Sequence, residues 1–131
     1  MTELVLDASA SVELLLDTTT GRALQQLIPT GARWWVPEHF YAEVAGALRR
    51  AEVHGEVSPA RVAQAFTDLT TSPLRRVQVR PLLPDAWAKR ANLTVADGLY
   101  VALAEHLQAS LVTSDLKLVN APTLTVPTIH A

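Results

Sequence analysis

Four carboxylates in this sequence stand where a folded chain could bring them to one place. Asp7 closes the apolar run Leu4-Val5-Leu6, and Asp115 follows Leu111-Val112-Thr113 after a single serine. Asp97 comes three residues after Thr94, the spacing of a helix-capping pair. Glu43 lies within about 60° of Phe40 around an ideal helix, on the edge of an apolar stripe. Several carboxylates in one cleft repel one another, so some take up protons at raised pKa or a cation neutralises them. Oxygen ligands without His or Cys prefer a hard ion, Mg²⁺ or Mn²⁺, over zinc. Such an ion keeps waters, acidifies one of them and counters charge on a phosphate. The reaction class that needs all of this is phosphodiester hydrolysis. Taken singly, each acid has a plainer role: Asp7 or Asp115 as a turn residue, Asp97 as a capping group, Glu43 as a solvated helix residue. Only their joint placement points to a site.

The elements that must position them follow from periodicity. The run at 4–6 suits a strand buried on both faces of a parallel sheet. Ser9 is expected to cap a helix reaching Leu16, broken by Thr18-Thr19-Thr20, with a second short helix over 22–28. Trp34-Trp35-Val36 reads as a strand closed by Pro37. The spacing of Phe40, Val44, Ala47, Leu48 and Ala51 predicts a helix over 38–54. Ser58-Pro59 starts another, with Val62, Ala65, Phe66 and Leu69 inward. Residues 76–80 alternate with period two, as an edge strand would, and a helix follows Pro84 through Trp87 and Arg90. Thr94 opens the strongest helix of the second half, and strands are expected at 111–113 and within 124–129. This alternation predicts a three-layer α/β/α sandwich with a mainly parallel central sheet, one domain over 1–131. In such sheets ligands bind beyond the carboxyl ends of the strands, where Asp7 and Asp115 both fall.

Composition narrows the chemistry further. A net charge of -2 argues against binding nucleic acid by bulk positive charge. The absence of cysteine excludes disulfides, thiolate nucleophiles and zinc-thiolate sites. GxGxxG, GxxxxGK[ST] and GxSxG are all missing, which removes the phosphate-cradling loops and the serine nucleophile elbow. The amino-terminal residues lack a signal-peptide pattern and no apolar run approaches the ~20 residues of a membrane span, so a soluble, cytoplasmic protein without membrane contact is expected.

Four stretches carry a family likeness over nearly the whole chain. They are Val5-Leu6-Asp7-Ala8-Ser9-Ala10, Val36-Pro37 with Glu43-Val44 and Ala47-Leu48-Arg49-Arg50, Asn92-Leu93-Thr94 with residues 97–104, and Leu111-Val112-Thr113-Ser114-Asp115. Together they resemble PIN-domain proteins of the VapC toxin type, the ribonuclease half of a toxin–antitoxin pair. The resemblance implies an endoribonuclease dependent on Mg²⁺ or Mn²⁺, with an RNA substrate, usually a homodimer and silenced by a cognate antitoxin. Asp7, Glu43, Asp97 and Asp115 match the family's acidic quartet, and Ser9 and Thr113 match the small hydroxyl residues that accompany it. On that basis Asp7, Asp97 and Asp115 are expected to hold metal directly or through water, with Glu43 holding the ion or orienting the attacking water. Two positions depart from the pattern: Ala96 stands where an aromatic is common, and Gly98 where Ala is common. Gly98 either admits a close approach by backbone or substrate or reflects drift.

Other features are ambiguous at this level. The histidines show no ligand spacing, and Trp34, Trp35 and Trp87 read as core or interface anchors. Arg49-Arg50, Arg75-Arg76, Arg80, Lys89-Arg90 and Lys117 form either a rim for RNA phosphates or solvated helix ends. Leu14, Leu15 and Leu16 with Leu24, Leu27 and Ile28 make either a groove for a partner segment or helix-on-helix packing; the family likeness implies an antitoxin tail there. The rival function is a non-catalytic module holding a cation or basic peptide in an acidic pocket.

Overall fold

The computed structural model describes residues 2–131. In chain order the elements are β1 (Glu3–Leu6), α1 (Ala8–Leu15), α2 (Thr19–Leu27), β2 (Arg33–Pro37), α3 (Phe40–Val53), α4 (Pro59–Thr71) and β3 (Arg75–Val77). A 3₁₀ turn (Arg80–Leu82) then leads to α5 (Leu83–Ala88), α6 (Val95–Leu107), β4 (Ser110–Val112), α7 (Leu116–Val119) and β5 (Thr128–Ile129). The strands form one sheet in the order β3-β2-β1-β4-β5. Every pairing is parallel, with Leu4 opposite Trp34 on one side and Ser110 on the other.

The order explains the layers. The chain steps outward from β1 to β2 to β3, then returns across the sheet to β4 and steps outward again to β5. With right-handed crossovers the two series of connecting helices fall on opposite faces, and the direction reverses between β1 and β4. Leu4, Val5, Leu111 and Val112 are fully buried, as central strands covered on both faces should be. On one face α1 packs against α2, α3 and α4; on the other α6 lies over β1, β2 and β4 and against α5.

Helix α6 is buried from Gly98 through Ala104 without a break. It is a core helix apolar all round, not one with a single stripe. Gly98 supplies the closest approach: a Cβ there would stand 3.0 Å from the Ala86 carbonyl oxygen and 3.2 Å from its Cα. Of the readings open at that position, close approach of backbone is the one the geometry supports. Gly21 does the same where α2 crosses α1, since a Cβ would fall 2.1 Å from the Glu13 carbonyl oxygen.

Several local expectations are corrected. The cap of α1 is Asp7, not Ser9, because the Asp7 side chain accepts from the Ala10 amide and Ser9 lies inside the helix. Thr18-Thr19-Thr20 does not merely break a helix; Thr18 caps α2, its hydroxyl accepting from the Gly21 amide, so α2 starts at Thr19. The edge strand is only Arg75–Val77, because the chain turns into the 3₁₀ segment at Arg80. The last strand shrinks to Thr128–Ile129, and the long helix begins at Phe40 instead of Glu38. Phe66 and Trp87 face outward, 50% and 58% exposed, with the Arg90 guanidinium 4.6 Å over the Trp87 ring.

Candidate active site

The reversal of strand order between β1 and β4 leaves a crevice beyond the strand ends, the usual ligand position in an open parallel sheet. Both strands put an acid there. Asp7 follows β1 and holds its backbone in register with β4, its N–H donating to the Val112 carbonyl at 3.1 Å. Its carboxylate is 4% exposed, and Oδ1 accepts from the Ala10 amide at 2.9 Å and the Ser9 hydroxyl at 2.7 Å. Asp115 caps the short α7, accepting from the Lys117 amide at 3.0 Å.

Ser9 and Thr113 tie these two ends together. The Ser9 hydroxyl spends its proton on Asp7 and accepts from the Ser114 amide at 3.1 Å. The Ser9 and Thr113 hydroxyl oxygens lie 3.3 Å apart. The Thr113 hydroxyl in turn accepts from the Asp115 amide at 3.0 Å. One hydroxyl chain thus fixes the loop after β4 against the start of α1, and through it the positions of Asp7 and Asp115.

The other two acids come from helices on opposite faces. Asp97 lies in the first turn of α6, where Thr94 caps by accepting the Asp97 amide at 3.1 Å. Glu43 lies in the first turn of α3, and its Oε1 accepts from the Tyr100 hydroxyl of α6 at 2.7 Å. His39, at the head of α3, stacks on Tyr100 with ring centroids 4.7 Å apart. Its Nε2 is 3.1 Å from the Ala96 carbonyl, which can only accept, so Nε2 carries the proton; the same nitrogen is 3.5 Å from Glu43 Oε1. His39 and Tyr100 therefore clamp the N-terminal turns of α3 and α6 together and set Glu43 beside Asp97. Tyr100, His39 and Glu13 were not singled out from the sequence. Tyr100 falls within the stretch 97–104 that carries the family likeness, but its sequence position gives it no role in the site.

All four predicted acids line one cavity of about 370 Å³, together with Ser9, Glu13, Arg50 and Tyr100. Their charges act on one another. Burial pushes the Asp7 carboxyl up, with the charge of Asp97 adding to it, while hydrogen bonds from Ala10, Thr113 and Ser9 oppose the rise. Burial likewise raises Asp97, with Asp115 and Glu43 adding repulsion. The Tyr100 hydroxyl is raised by burial and by Glu43, so it stays protonated as a donor. A cup that lifts the pKa of its own carboxylates is one that a cation would relieve.

The donor set suits a hard divalent ion: carboxylate and hydroxyl oxygens, with no thiolate or imidazole lining the cavity. Among the described residues no three acidic or imidazole groups form a ready-made ligand cage. A hard ion such as Mg²⁺ keeps several waters and takes one or two carboxylates directly, so an ion in this cup would be held partly through water.

The family model described as PIN domain matches residues 4–124. Ribonuclease VapC12 of Mycobacterium tuberculosis is 41% identical over 115 residues, 88% of each chain. Among solved structures, PAE2754 from Pyrobaculum aerophilum superposes with a TM-score of 0.68 at 20% identity, over 98% of this chain and 90% of that one. VapBC-5 from Mycobacterium tuberculosis, of the VapBC family of toxin-antitoxin systems, gives 0.59 at 18% identity over the full length of both. A parallel sheet in the order 3-2-1-4-5, acids gathered at its switch point and matches of this extent lead to one assignment: the chain belongs to the PIN-domain family, in its VapC branch.

Proposed function

We propose that this chain is the toxin of a VapBC-type toxin–antitoxin pair, an endoribonuclease whose acidic cup works with Mg²⁺ or Mn²⁺ and whose residues 1–131 act as one domain. The observation that carries the reading is the convergence of Asp7, Glu43, Asp97 and Asp115, from four separate elements, on one cavity. Divalent metal bound there supplies charge neutralisation at the scissile phosphate and a water acidified toward neutral pH. Asp7, Asp97 and Asp115 would hold the ion. Glu43 has one oxygen occupied by Tyr100, which leaves Oε2 to orient the attacking water or to complete the ion's shell. Ser9 and Thr113 act at one remove, keeping Asp7 and Asp115 in place.

The partners follow the family. Relatives named as VapC ribonucleases and a structural neighbour from a VapBC system support RNA as substrate and a cognate antitoxin as partner. A hollow of about 660 Å³, floored by Leu14, Leu15, Ile28, Trp34 and Leu74, is where we place the antitoxin tail. Leu16 and Leu24 are core residues instead, and Leu27 is exposed. We also infer a homodimer acting in the cytoplasm; among the described residues no helix is long and apolar enough to cross a membrane.

The test is cleavage of single-stranded RNA by purified protein. Cleavage that requires added Mg²⁺ or Mn²⁺ and stops with EDTA supports the reading. RNA or cation binding without turnover would favour a non-catalytic module.

A further inference from the structure

We propose that Arg50 is the residue through which this site grips an RNA phosphate, and that the hollow beside it receives the adjoining nucleoside. The proposal rests on the ribonuclease reading above and addresses how an anionic strand is seated in an anionic cup. Glu43, Ala47 and Arg50 recur at helical spacing on one face of α3, and all three line the acidic cavity. Among the described residues Arg50 is the one cation lining it, against Asp7, Glu13, Glu43, Asp97 and Asp115. Among the described residues no hydrogen bond or ion pair reaches the Arg50 guanidinium, although acids share its cavity; only its backbone carbonyl is engaged, accepting from the His54 amide at 2.9 Å. Its guanidinium turns back along the helix over Gly46, where an added Cβ would stand 3.5 Å from Nη1. An exposed arginine left unpaired beside five carboxylates is available to an incoming anion.

Charge makes that availability consequential. Phosphates approaching this cup are repelled by its carboxylates, and a planar guanidinium offers two parallel N–H donors to a phosphate. Arg50 also lines a second hollow of about 450 Å³ that continues from the first, the two sharing Val12, Glu13 and Ala47. This hollow runs past Leu16 to Val57 and His54, a partly apolar floor large enough for one nucleoside. A phosphate held at the junction would place one nucleotide in the acidic cup and its neighbour in the hollow. Such seating demands an unstacked strand, which selects single-stranded or looped RNA over a duplex.

The experiment is steady-state cleavage of a labelled single-stranded RNA across a salt series, with Arg50→Ala, Arg50→Lys and Arg49→Ala. Arg49 is the matched control, adjacent on the same helix and lining neither hollow. Arg50→Ala is expected to raise KM about tenfold with kcat little changed, the loss of one charge-assisted contact. Its log–log salt slope should be shallower by about 0.7, the value for one phosphate contact on a single strand. Arg50→Lys should recover the slope but only part of the affinity, and Arg49→Ala should match wild type. Wild-type KM and slope in Arg50→Ala would overturn the proposal, as would an equal loss in Arg49→Ala or a fall confined to kcat. If the wild-type protein does not cleave RNA at all, the ribonuclease reading fails. The Arg50 site is then judged by RNA-binding anisotropy on the same variants, where an unchanged Kd and slope overturn it.

Discussion

Replacing Asp7 by Asn separates the charge of this residue from its work as a cap. Oδ1 of Asp7 accepts from the Ala10 amide at 2.9 Å and from Ser9 at 2.7 Å. Asn presents the same oxygen and ranks with Asp as an N-cap, so both bonds survive. What disappears is a buried negative charge whose pKa is raised by desolvation and by Asp97. A raised folded pKa means that the fold favours the proton. Stability from this group is full below its unfolded value of 3.8 and is lost as pH rises through the higher folded value. At neutral pH without metal, Asp7→Asn should therefore melt no lower than wild type. Asp7→Ala orphans the Ala10 amide and the Ser9 hydroxyl and should lie about 1–2 kcal/mol below the Asn variant. For a chain of this size that gap is about 4–8 °C in Tm. Thermal melts by circular dichroism in EDTA read both differences. Added Mn²⁺ should then raise the wild-type Tm by mass action and leave Asp7→Asn where it was. An Asn variant that melts clearly below wild type in EDTA would refute the reasoning, since the carboxylate would then be a net stabiliser.

Three further outcomes follow from the same geometry. Tyr100→Phe removes the 2.7 Å donor to Glu43 and should lower kcat about tenfold while leaving KM near wild type, read in steady-state RNA cleavage. Activity should rise with pH through the elevated pKa values of Asp7 and Asp97, because the ionised forms do the work, whereas metal-free stability should fall over the same range; a pH–rate profile beside a pH series of melts checks both signs. Gly21→Ala drives a methyl into the Glu13 backbone, 2.1 Å from its carbonyl oxygen, and should cost about 2–3 kcal/mol in denaturant unfolding.

Much of the site was legible because its acids sit at punctuation points of the chain. Asp7 and Asp115 end apolar runs, and Asp97 stands at a capping spacing from Thr94, signals that survive without any knowledge of tertiary contacts. The sheet order was not legible, since periodicity finds strands but says nothing about which lie side by side. Asp7 and Ser9 were exchanged as caps because either residue type can cap and they differ by only two positions. Helix α7 went unseen because four residues carry no helical period. Tyr100 and His39 were missed for a different reason. Their role depends on α3 and α6 meeting across the end of the sheet, a contact between positions 57 residues apart. Arg50 was visible as a candidate but not separable from Arg49, because only the fold decides which neighbour faces the cavity.

The claim beneath all of this is that carboxylates remote in sequence share one divalent ion. Titration of Mn²⁺ followed by electron paramagnetic resonance, on wild type and on Asp7→Asn, Asp97→Asn and Asp115→Asn, tests it without relying on any RNA substrate. The account predicts Mn²⁺ binding by wild type that each substitution weakens at least tenfold. Binding of equal strength in all four proteins, or none in wild type, would contradict it.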